Sequence, residues 1–153
     1  MEIICNMLKD FIINSLSIYL ERFATEAVPL PDFTDSTVIP GSIDIERNTA
    51  PNMCFIVPDI QQLSELSISS QEEHTEIDIW FFVRKDTPEN LFLRSLRFAA
   101  AFKTAVLNDW SIGGAFTQAY IKEIEYFDNV ENSDGKIRAV RCGMTILTEL
   151  MEA

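Results

Sequence analysis

His74-Thr75-Glu76-Ile77-Asp78-Ile79-Trp80-Phe81-Phe82-Val83-Arg84 decides the fold. Ile77, Ile79, Phe81 and Val83 fall on one side of an extended chain, and Glu76, Asp78, Trp80, Phe82 and Arg84 on the other. Side chains on a strand alternate between the two faces, and β-branched and aromatic residues suit a pleated surface, so this is a strand. Its second face turns apolar at Trp80 and Phe82, so something covers part of that face too.

A helix follows directly. Thr87-Pro88-Glu89 offers an N-cap hydroxyl, a proline at the first helical position and an acid near the positive helix end. Leu91 to Leu107 is apolar on nearly all sides, as in a helix buried against a sheet and a neighbouring subunit. Gly113-Gly114 reads as its C-cap and turn. Two strands come next, Thr117–Phe127 and Lys136–Glu149, joined through the turn signal Asn132-Ser133-Asp134-Gly135.

Upstream, Ile3, Ile4, Met7, Leu8, Phe11 and Ile12 begin an apolar stripe at spacings of three and four. The stripe predicts one helix over Glu2–Thr25, stopped by Pro29 and Pro31. Between Leu30 and Ser70 the pattern is weaker. Short strands are expected in Thr37–Glu46, Asn52–Val57 and Leu66–Ser69, separated by Pro40-Gly41, Pro51 and Pro58. The sum is an α+β chain of 153 residues in a single domain, a mainly antiparallel sheet flanked by two helices.

Charge narrows the function. The chain carries 24 acidic against 12 basic residues, a formal net of −12. Binders of nucleic acid and of anionic membrane surfaces need basic stripes, and none is visible. Met1-Glu2-Ile3 opens without a basic segment, Lys9 and Asp10 interrupt the apolar stretch, and no uncharged apolar run reaches 18 residues. Neither a secretory signal nor a membrane span is therefore expected. Cys5, Cys54 and Cys142 each sit in an apolar run, fitting free thiols in a reducing compartment.

Catalytic patterns are weak. His74 is the only histidine, among Glu72, Glu73 and Glu76 at a strand start. It could be a general base oriented by a carboxylate, but reads better as a surface residue. No serine has a nucleophile elbow, and no Cys or His spacing suits a metal. Adjacent Glu72 and Glu73 would face opposite ways, while Glu123 and Glu125 share a face as a solvated stripe. Gly113-Gly114 lacks the companions of a phosphate loop. No catalytic residue, cofactor or metal ligand is expected.

From about Glu73 onward the chain resembles the tail terminator, or tail completion, proteins of long-tailed phages. The residues that carry the likeness are the strand Ile77–Arg84 with Lys85-Asp86, the helix start Thr87-Pro88-Glu89-Asn90-Leu91, the turn Ser111-Ile112-Gly113-Gly114-Ala115-Phe116, and the closing hairpin. Residues 29–72 depart from the family pattern, and Ile112 stands where leucine is usual. The resemblance implies a tail-terminator-like α+β fold without an active site. It also implies a homo-oligomeric ring, commonly a hexamer, meeting tail-tube and neck proteins. Its place would be the virion tail, and the host cytoplasm during assembly. DNA would pass through without specific binding. Another head–tail connector or neck protein, a cytosolic adaptor, and a small enzyme or ligand carrier are the alternatives. Trp110, Ile112 and Phe116 are candidate interface residues; a loop folded over its own helix is the other reading of that segment. Glu72, Glu73 and Glu76 are candidates for an acidic lumen, where carboxylates would repel passing duplex.

Overall fold

The computed structural model describes residues 1–65, 70–130 and 133–151, and the side chains of most of these. The strand quoted above is the middle of a five-stranded sheet of order β1-β2-β3-β5-β4. The strands are β1 (Val38–Pro40), β2 (Asn52–Glu65), β3 (Ser70–Arg84), β4 (Gln118–Phe127) and β5 (Ile137–Met151). Only the β1–β2 pair is parallel. The helices are α1 (Glu2–Asn14), α2 (Ser17–Phe23) and α3 (Pro88–Asn108), so the fold is α+β.

All three helices pack on one face of the sheet. Thr75, Ile77, Ile79, Phe81 and Val83 of β3 are fully buried there, with Val140, Cys142, Met144 and Ile146 of β5 beside them. Phe81 binds the layers together. Its ring stacks on Phe98 of α3 at 5.8 Å, meets Phe102 edge-on at 5.6 Å and touches Phe33 at 5.6 Å. Such contacts add to the burial of large aromatic area. Phe82 and Trp80 point the other way, as the alternation required. They join Met53, Phe55 and Phe127 in a smaller cluster, covered by Ile45, Ala50 and Val130 from loops.

The expected Glu2–Thr25 helix is broken. The Phe11 carbonyl accepts from both Ser15 N–H (2.9 Å) and Leu16 N–H (3.2 Å), and α1 and α2 bend by 49°. A carbonyl shared between the i+4 and i+5 donors widens the helix, and Asn14-Ser15 are poor helix formers that resist little. The bend lets α1 lie on β1 and β2 while α2 packs on α3. The sheet face therefore carries three helices rather than two.

Pro58 does not separate two strands; it lies inside β2, where the pairing with β3 shifts register between Pro58 and Ile60. β1 accompanies only Cys54–Ile56, so Pro58 sits on an open edge, where a missing N–H costs no sheet bond. Of the Thr37–Glu46 expectation only Val38–Pro40 is a strand; Asp44–Arg47 turns back over the sheet's second face. Leu66–Ser69 lies outside the described residues, as does Asn132. Asp134 (φ 56°) and Gly135 (φ 75°) are both left-handed and Lys136 N–H bonds to Ser133 O, so the expected Asp-Gly turn is present.

Candidate functional site

α3 begins as its sequence predicts: Thr87 Oγ1 accepts from Asn90 N–H and Pro88 takes the first position. Its end differs. The helix stops at Asn108, so Gly113-Gly114 is not its C-cap. Ile112, Gly113 and Gly114 are three consecutive left-handed residues, at φ 51°, 70° and 81°. Asp109 holds them: its Oδ2 accepts from Gly113 N–H at 2.8 Å and its Oδ1 from the Ser111 hydroxyl at 3.2 Å. Trp110 O accepts from Ala119 N–H, fixing the loop to the start of β4.

This geometry separates the three candidate interface residues. Ile112 and Phe116 are each only 5% exposed and belong to the chain's own core, so the loop folds over its own helices there. A β-branched residue rarely adopts positive φ; burial of the Ile112 side chain offsets that strain. Trp110 alone remains outward, at 56% exposure. It does not stand alone: Leu107 and Tyr120 beside it are also exposed and line the same groove. Ile3 and Met7, read in sequence as core positions of the first helix, are exposed as well, whereas Ile4 and Leu8 of the same stripe are buried as expected.

The acidic candidates are also divided. Glu72 and Glu76 lie on the helix-free face of the sheet, whereas Glu73 lies on the helix-bearing side. There its Oε2 accepts from Gln61 and from the Thr148 hydroxyl. Glu72 pairs with His74, and Glu76 with Lys122 Nζ at 2.7 Å. Three further carboxylates complete the helix-free face. Arg141 Nη1 donates to Asp78 at 2.8 Å, Nη2 to Glu123 at 2.7 Å and Nε to Glu125 at 3.1 Å. The Glu123 hydrogen bond contributes most to holding the Arg141 guanidinium charged, and the same bond lowers the Glu123 carboxyl below its usual value. Gly143 lies between Asp78 and Glu123 in register. A Cβ there would come within 3.1 Å of Glu123 Cγ and 3.2 Å of Arg141 Nη1, so glycine makes room for the network.

The face thus presents Glu72, Glu76, Asp78, Glu123 and Glu125 against Lys122 and Arg141. Both of these cations are engaged with carboxylates of the same chain, while Arg84, on the same face beneath the loops, donates to the Ile45 carbonyl. The pairing of Glu123 with Glu125 on one face was readable from their spacing. Arg141 was not, because its partners arrive from β3 and β4 through a register that sequence does not display.

Among the described residues no group of His, Cys, Asp and Glu is arranged to hold a metal. The three cysteines are free and buried. Burial pushes the Cys54 thiol well above its ordinary value and the Cys142 thiol up to about 12, which leaves neither a ready nucleophile. Compared with protein-family models and with curated proteins, the chain matches none.

Proposed function

We propose that the chain is a non-enzymatic structural subunit of a phage or prophage tail, a terminator-like protein that forms a ring between tail tube and head connector. The observation that carries the reading is the succession β3, α3, left-handed glycine turn, β4, β5. It has the order, the Thr87-Pro88 helix start and the double-glycine turn on which the resemblance to tail terminators rests. The lopsided sheet supports the reading. One face is packed under helices; loops cover the Trp80–Phe82 end of the other, and its charged remainder is open to border a passage.

The chemistry of that free face suits a passage for DNA. Duplex binds proteins chiefly by exchanging its counterions for Lys and Arg. Here Lys122 and Arg141, the cations on the open part of the face, are committed to carboxylates, and excess negative charge repels phosphate over about 8–10 Å at physiological salt. A ring of six copies would carry a formal −72, six times −12. Partners on this reading are other copies, tail-tube subunits and neck proteins, in the host cytoplasm during assembly and then in the virion.

Native mass measured across a concentration series tests the reading. The expected result is a discrete closed oligomer that binds no duplex in a low-salt titration. A chain that stays monomeric at every concentration refutes it.

A further inference from the structure

We propose that the ridge formed by Ile3 and Met7 on α1 of one copy seats in the Trp110 groove of a second copy, head to tail. The inference rests on the ring reading above and names the contact that would build the ring.

The groove measures about 300 Å³ and lies between the C-terminal end of α3 and the start of β4. Val106, Leu107, Trp110, Ala119, Tyr120 and Ile121 make its apolar wall, and its one charged lining residue is Lys103. Leu107 is 68% exposed, so a large side chain faces water at the rim. Ile3 and Met7 form the rim of a cleft of their own, from which Ile3 projects into water. Ile3, 68% exposed, and Met7 stand one turn apart on the same side of α1, with Met1 exposed beside them. The charge at the ridge's foot is opposite: Glu73 lines the cleft below it, and Glu2 precedes Ile3. An apolar ridge rimmed by carboxylates and an apolar groove rimmed by a lysine are complementary in apolar character and in charge.

Ridge and groove are different surfaces of one molecule, on either side of the loop from Trp110 to Thr117. A copy that has used its ridge still offers its groove. Such a contact propagates until it closes, which is how rings form. The sheet edges are poorer candidates. β4 carries a register shift and the run Lys122-Glu123-Ile124-Glu125, and the free part of β2 carries Pro58, Asp59 and its own shift. Charges, prolines and bulges are what keep edges from pairing.

Ile3→Asp and Leu107→Asp test the contact, with sedimentation velocity as the readout. Both positions are largely in water, so circular dichroism and the melting transition should match the parent chain at concentrations too low for it to assemble. Each variant alone should be monomeric at concentrations where the parent chain assembles. An equimolar mixture should give one-to-one dimers and nothing larger, because only one intact ridge and one intact groove remain. Variants that assemble like the parent overturn the contact and leave the ring reading standing, as does a mixture that stays monomeric. A parent chain that never assembles overturns both.

Discussion

Phe102 has no solvent exposure and touches both Phe81 of the sheet and Phe11 of α1. Phe102→Ala removes a ring that three elements share, and should cost about 3–5 kcal/mol in a urea titration, from lost burial and the cavity left behind. His74 is half-buried beside Glu72 on the outer half of the free sheet face. His74→Ala should shift stability by less than about 0.5 kcal/mol and leave ring assembly intact; a folded variant that no longer assembles would give the residue a role that the proposed function lacks. Residues of this kind were legible because alternation and helical spacing say which side a side chain takes. Those rules do not say where a packed face ends. Ile3 and Met7 continue an apolar stripe past the edge of the core, which is why spacing alone placed them inside. Ile112 was illegible for another reason: nothing local marks an isoleucine as left-handed until the loop around Asp109 is seen.

At the scale of elements, the junction of β3 and α3 depends on one buried arginine that reaches out to an exposed aspartate. Arg94, 4% exposed, donates to Asp86, to the carbonyls of Arg84 and Pro51, and to the Asn52 side chain. Asp86 also accepts from Thr87 N–H, the largest cause of its lowered pKa, and from Asn90. Burial lowers Arg94 more than Asp86 raises it, yet a guanidinium stays protonated at any pH of interest. Asp86→Ala should cost about 1–2 kcal/mol at neutral pH, from the lost charge-assisted hydrogen bonds, since Arg94 keeps its carbonyl and Asn52 partners. A carboxyl whose folded pKa is depressed contributes its full stability above the ordinary value. It loses that contribution as pH falls through the folded value. The gap between parent and variant should therefore be constant from neutral pH down to the ordinary carboxylate range, and narrow below it. A gap independent of pH down to strong acid would remove Asp86 from the account. The start of α3 was legible from Thr87-Pro88-Glu89, as were β3 and the closing strands, because their signals are local. The break at Ser15 and the passage of β2 through Pro58 were not. Both depend on what lies beside the chain: α3 waiting for α2, and an edge with no neighbour to miss a proline's N–H.

For the whole molecule, the uneven distribution of charge gives the sharpest expectation. If the excess of acid on the free sheet face borders a DNA passage, reversing two of its carboxylates should create affinity that the parent chain lacks. Glu72→Lys with Glu76→Lys should produce duplex binding that falls steeply as salt rises, since new phosphate contacts release counterions. Binding by the parent chain at low salt would instead leave solubility as the sole role of the charge. One further property follows from the order of the strands. β5, which ends the described chain, lies between β3 and β4, and it is paired with β3 along its full length from Ile137 to Met151. A pull on that end along the strand axis cannot open the ladder one rung at a time. It must slide β5 past both neighbours, breaking many hydrogen bonds together. Tension applied there is borne in shear, the direction in which a sheet yields last, so a subunit gripped by its final strand would transmit load into its own core before letting go.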